Sequence, residues 1–318
     1  MSVLGSAPRT SLDFPMSADH GSPAKAILYA FIANFGIAVT KGAAAIYTNS
    51  GSMLTEAIHS VADCLNQVLL FVGLKRSELP ATAQHPLGYG KSSYFWSFIV
   101  ALMLFSMGGL FSIYEGIHKL SEHEPVRYAW VAIAILTFSI AAESVSLWGA
   151  LREINKVRDG RSLWRWFRTS RQSELLVILG EDLAALGGLV LALSFITVAL
   201  ITGDPRWDAA GSIAIGVLLV LVAVLVGVEV KALLVGQSAE PQVTELMRAH
   251  LLAEPEVAGV FNLVTQQLGG DVMVAVKAKL RPTGSETAML EAINRIEARF
   301  RAGFPEVRWL FFEPDLVD

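Results

Sequence analysis

Four side chains in one apolar stretch carry the first chemical signal of this chain. Glu56, His59, Asp63 and Asn66 follow one another at intervals of 3, 4 and 3 residues. On an α-helix that spacing puts all four on one stripe. A separate apolar stretch holds the adjacent acids Glu181 and Asp182, and two others hold Lys41 and Glu143. Ionisable groups within apolar segments of this length are costly, and they mark ion pathways and relays. One imidazole with two or three carboxylates suits a divalent cation. The alternatives are a hydrogen-bonded cluster that only ties helices together, or a path for organic cations or for protons alone. The stripe is polar rather than hydrophobic, which favours a metal over an organic cation.

Six apolar segments must position these groups. They run over 26–47, 52–74, 93–117, 127–151, 174–202 and 209–235. Each is near or above the ~20 residues that cross ~30 Å of hydrocarbon. The expected fold is therefore an α-helical membrane protein with six transmembrane helices, the membrane domain covering 26–237. Residues 1–25 hold Pro8, Pro15 and Pro23 and no apolar signal-peptide core, and read as a mobile tail. Six spans put both ends of the membrane domain on one side. That side carries 13 Lys/Arg against 3 on the other, with seven of the 13 between Arg152 and Arg171. The positive-inside rule makes it the cytoplasm. The composition agrees: 53% hydrophobic and only 17% charged residues exclude disorder and argue against a soluble enzyme. A net charge of −4 gives no footprint for nucleic acid, and the single cysteine, Cys64, forms no intrachain disulfide.

Depth follows from helical rise. Counted from Ser52, Asp63 lies about 16 Å below the outer face and His59 about 10 Å. Counted from Glu174, Asp182 lies about 18 Å below that face, level with Asp63. Adjacent residues on a helix point about 100° apart, so Glu181 and Asp182 cannot both face one ion fully. Depth favours Asp182, with Glu181 second. The same count puts Lys41 about 6 Å from the outer face and Glu143 about 6 Å from the inner one, too far apart to pair. Glu56, Asn66, Glu143 and Lys41 are candidates for an outer shell or gate.

From about residue 238 the chain turns polar. Pro241–Glu254 reads as a helix, Val260–Gln267 and Val272–Leu280 as a hairpin around Gly269-Gly270-Asp271, Ser285–Arg301 as a helix capped by Ser285, and Val307–Phe312 as a third strand. The order αββαβ makes 238–318 a small α+β domain.

These residues resemble the cation diffusion facilitators, a family of metal/proton antiporters. The resemblance rests on Asn34 and Lys41, and on Ser50-Gly-Ser-Met-Leu-Thr-Glu-Ala-Ile-His59-Ser-Val-Ala-Asp63. It rests further on His85-Pro-Leu-Gly-Tyr-Gly90 followed by Tyr94-Phe-Trp-Ser, on Asp208, and on the αββαβ tail. Family members build the transport site from (His/Asp)-x-x-x-Asp on the second and fifth segments. Here the first half is intact as His59 and Asp63, and Glu181-Asp182 stands in for the second. That pair, with His-Ser-x-x-Asp-x-x-Asn-Gln and Phe312-Glu-Pro-Asp, is similar to the zinc-transporter-nine branch. The resemblance implies a homodimer that exchanges a divalent metal for protons, zinc foremost, in a bacterial inner membrane or an organelle membrane. Manganese, cobalt, iron, nickel and a non-transporting metal sensor are the alternatives. It implies a weak second metal site at His85; the lone His250 reads as a surface or core residue before a metal ligand. No GxxxxGK[ST] motif supports an ATP-driven pump. The expectation is a secondary transporter and not an enzyme, with no resident cofactor.

Overall fold

The computed structural model describes residues 22–48, 51–122 and 129–317, with the side chains of residues 48, 51–56, 58, 59, 122 and 129 outside that description. The tail expected over 1–25 lies outside the described residues up to 21, and α1 begins two residues later. Helices α1 (Pro23–Thr48) and α2 (Gly51–Ser77) are followed by α3 (Ser92–Met103), a π-helical stretch Leu104–Leu110 and α4 (Phe111–Glu122). Then come α5 (Ala129–Val157), α6 (Leu163–Thr169), α7 (Ser173–Thr202) and α8 (Arg206–Val235).

Five of these units are long and apolar enough to cross a membrane: α1, α3 with α4, α5, α7 and α8. Helix α2 is as long, with 27 residues, but its acids and amides make it less apolar than the others. It lies along α1 and α3, which lets its polar side chains face protein rather than lipid. The short helix α6 was not expected. It forms because Ser162 accepts a hydrogen bond from the amide of Arg165, and because Trp166 and Phe167 fold into the same core as Ile154, Leu175 and Val226. The third segment is one rod with an internal π stretch rather than a plain helix. Its small residues lie against α8: a Cβ on Gly109 would stand 2.6 Å from Val220 Cγ2, and one on Gly216 would stand 2.7 Å from the carbonyl of Gly109. Only glycine lets the two backbones approach so closely.

The C-terminal domain has the predicted order: α9 (Pro241–Ala253), β1 (Val257–Leu268), β2 (Asp271–Leu280), α10 (Glu286–Gly303) and β3 (Val307–Pro314). The sheet order is β1-β2-β3, with β1 antiparallel and β3 parallel to β2. Period-2 alternation buries Val272, Val274, Val276 and Ala278 on the face that meets Met247, Leu251, Ile296 and Phe300 of the two helices. Ser285 caps α10 by accepting from the amide of Ala288 at 3.1 Å.

The loop before α3 fixes this domain to the bundle. The Tyr94 hydroxyl accepts from the amide of Gly269 at 3.0 Å and donates to its carbonyl at 3.4 Å. A Cβ on Gly90 would stand 1.9 Å from the Leu268 carbonyl oxygen. Arg161 pairs with Glu240 at 2.7 Å, and Arg171 donates to the carbonyl of Ser238 at 2.7 Å. The motif His85-Pro-Leu-Gly-Tyr-Gly90 therefore ends at a backbone-to-backbone seat for the β1–β2 turn.

Gly90→Ala should unseat that turn, because the contact is with backbone and cannot be relieved by a rotamer. The expected outcome is faster proteolytic cleavage in the linker 236–240, with the sheet itself still folded. Tyr94→Phe removes two hydrogen bonds and should cost about 1–3 kcal/mol in thermal unfolding. Wild-type cleavage rates in both variants would show that the seat does not hold the domain.

Candidate functional site

The bundle interior brings α2, α5 and α7 together around their acids. Helix α7 supplies Glu181 and Asp182, both buried, from a stretch in which every residue from Ser173 to Asp182 is buried. Helix α2 supplies Asn66 and Gln67. The Asn66 amide donates to Glu181 Oε1 at 3.0 Å, and the Gln67 amide donates to Glu181 Oε2 at 2.7 Å. Helix α5 supplies Ser146, whose hydroxyl donates to Asp182 Oδ2 at 3.1 Å.

The adjacent acids divide between two helices. Glu181 is the one turned to α2, while Asp182 is turned to α5. The 100° step between neighbours sends them to different helices, as the spacing required, but helix rotation assigned the faces. Glu181 meets Asn66 and Gln67, which lie three and four residues from Asp63, about 5 Å along α2. Helix α7 begins inside the bundle. Its Ser173 is fully buried and meets Ser97 of α3 at 3.0 Å.

Packing between helices brings Lys41 and Glu143 nearer in depth than the sequence count placed them. Helices α1 and α5 meet where Gly149 leaves room for the Tyr29 ring. Counted from that contact, Lys41 is about 18 Å along and Glu143 about 9 Å, a gap that a lysine stem largely spans. Around the two acids, Asp182 Oδ1, Asn66 Oδ1 and Gln67 Oε1 have no hydrogen-bond partner among the described residues. A buried carboxylate oxygen and buried amide oxygens left open are the donors a hard or borderline cation takes.

The side chains of His59 and Glu56 lie outside the described residues. Among the described residues no three of His, Cys, Asp and Glu stand together as a ligand set. Gln67 and Ser146 were not assigned a role from the sequence. Their signals were present, since Gln67 adjoins the Asn66 stripe and Ser146 falls one turn from Glu143 on the same face. His85 is exposed in its loop and lies over the Tyr89 ring at 4.3 Å. His250 packs edge-on against Phe300 and Phe304. Partial burial holds its imidazole below the usual pKa range.

The fold and this interior define a polytopic helical membrane protein with a carboxylate-bearing core and one appended α+β domain. The chain belongs to the cation efflux family, whose transmembrane domain matches residues 27–235. It is 34% identical over 250 residues to the human proton-coupled zinc antiporter SLC30A9, mitochondrial, a match that covers 78% of this chain and 44% of that protein. It is 25% identical over 283 residues to the magnetosome protein MamB of Magnetospira sp. (strain QH-2), covering 86% and 89% of the two chains. With the zinc transporter ZitB of Escherichia coli the figures are 23% over 273 residues, 85% and 82%. The chain thus spans less than half the length of the SLC30A9 relatives it matches.

Because Glu181 faces α2, Glu181→Gln should reduce zinc affinity more than Asp182→Asn does, at least tenfold against a few-fold. Isothermal calorimetry on both purified variants measures the difference. A larger loss at Asp182 would place the ion between α5 and α7 instead.

Proposed function

We propose that this chain exports a divalent transition metal, zinc foremost, in exchange for protons. The observation that carries the reading is the Glu181 carboxylate, held in the interior by Asn66 and Gln67 and facing the helix that carries His59 and Asp63. Membership of the cation efflux family and the printed function of the SLC30A9 relatives support it. His59, Asp63 and Glu181 are the ligands proposed, with Asp182 completing or relaying from the α5 side. Manganese, cobalt, iron and nickel share much of this donor chemistry, and zinc is favoured by the relatives' names.

The mechanism proposed uses the proton as competitor. Imidazole and carboxylate must be free of protons to bind a cation, so each bound ion displaces protons. Loading takes place from the side that carries the C-terminal domain, with Asp63 and Glu181 ionised and His59 neutral. Helices then rock around the site, as in other secondary transporters, and protons entering from the far side release the metal. Both termini are proposed to lie in the cytoplasm, a reading supported by the excess of Lys/Arg on the domain side. A homodimer is proposed, assembled through the C-terminal domain.

Asp63→Ala should abolish metal flux in proteoliposomes while the protein stays folded and keeps its detergent-solubilised size. Wild-type flux from this variant would remove Asp63 from the site. Affinity should fall steeply from about pH 7.5 to 5.5, since His59 must be free of its proton to bind a cation and the reference pKa of histidine is about 6.5. Flux into vesicles with an acidic interior should exceed flux without a gradient. Gradient-independent accumulation would leave a metal site but no antiport.

A further inference from the structure

The stretch from Arg152 to Arg171, the end of α5 with its connection to α7, carries more positive charge than its ion pairs use. Of its seven basic residues, Lys156 pairs with Glu153, Arg161 with Glu240 and Arg168 with Glu229, while Arg171 donates to a backbone carbonyl. Arg152, Arg158 and Arg165 have no acidic partner among the described residues. Arg152 and Arg165 are exposed.

Exposed tryptophans place this charge relative to the bilayer. Trp130 and Trp148 are 67% and 58% exposed on α5. They are 18 residues apart, which is five full turns, so they share one face and stand about 27 Å apart along the axis. That separation matches a hydrocarbon core of about 30 Å with an aromatic side chain at each boundary. Phe138 and Val145 are exposed between them, as a lipid-facing stripe requires. Arg152 continues the stripe one turn beyond Trp148, about 6 Å further out, at headgroup level. Its guanidinium lies over the Trp148 ring at 5.6 Å, which holds it at the boundary without neutralising it.

Helix α6 follows α5 on the same side of the membrane domain. Trp166 and Phe167 are buried in the bundle, and Trp164 stacks on Phe167 at 6.1 Å while remaining 62% exposed. Leu163, Trp164 and Arg165 face outward. A short helix with one face in the protein and a Trp/Arg edge outside is the pattern of an interfacial segment.

We propose that two Trp/Arg edges, Trp148 with Arg152 on α5 and Trp164 with Arg165 on α6, hold anionic phospholipid headgroups in the leaflet on the C-terminal-domain side. Charge complementarity selects an anionic over a zwitterionic lipid, and the tryptophans select a lipid over a free anion. The Arg161–Glu240 and Arg168–Glu229 pairs tie the same segment to α9 and α8, so a bound lipid also braces the domain seat.

The test uses the full chain in nanodiscs of equal phosphatidylglycerol and phosphatidylcholine. Native mass spectrometry counts the lipid retained after transfer to detergent. Wild type should retain phosphatidylglycerol preferentially. Arg152→Gln and Arg165→Gln should each lower that preference about fivefold. Lys279→Gln, an exposed charge on β2, should leave it unchanged. An undiminished preference in the double variant overturns the site, and an equal loss in Lys279→Gln reduces it to general charge. Displacement of the lipid by millimolar inorganic phosphate would show a free-anion site and overturn the lipid assignment.

Discussion

The constraint on which this structure depends is the placing of acids inside an apolar helical bundle. A carboxylate there must be met by donors, because an unpaired buried charge costs several kcal/mol or more. Glu181 is met by two side-chain amides from α2, and Asp182 by a serine from α5. Those bonds make α2 a polar helix, and its polarity in turn requires it to be sheltered by α1 and α3. Among the described long helices of the bundle, the one too polar to cross alone carries the motif His59-x-x-x-Asp63.

Close packing elsewhere supplies the rigidity that such a site needs. Gly109 and Gly216 let the α3–α4 rod and α8 approach at backbone distance. The π-helical stretch at Leu104–Leu110 lies at this contact. On the domain side, Gly90 and Tyr94 seat the β1–β2 turn on the start of α3. The same helix thus touches the C-terminal domain at its first turn, α7 through Ser97–Ser173, and α8 above that. A change in the domain's position has a short physical route to the helix that carries Glu181 and Asp182.

Family membership and interior geometry support one another without being redundant. The match over residues 27–235 says what kind of bundle this is. It does not say how the pair Glu181-Asp182 replaces the spaced pair that the family uses on this helix. The structure answers by dividing the two acids between two partners, one on each side of α7.

Much of the architecture was legible in the chain itself. Long apolar runs separated by charge forced a membrane bundle, since such runs have no other way to bury their surface. Period-2 alternation in Val272–Ala278, the Gly-Gly-Asp turn and the Ser285 cap forced the αββαβ domain, because these signals are local and each acts within a few residues. The stripe at Glu56, His59, Asp63 and Asn66 was legible for the same reason. Tertiary structure alone decided which of Glu181 and Asp182 meets α2, because that depends on the rotation of α7 about its axis by about 100° per residue. It alone decided the depth of Lys41 against Glu143, which follows from where Tyr29 fits beside Gly149. It also decided the fate of Gly90, whose missing side chain is filled by a backbone carbonyl from a residue nearly 180 positions away. Sequence spacing fixes what lies on one face of an element; which neighbour that face meets is set by packing between elements, and no local pattern encodes it.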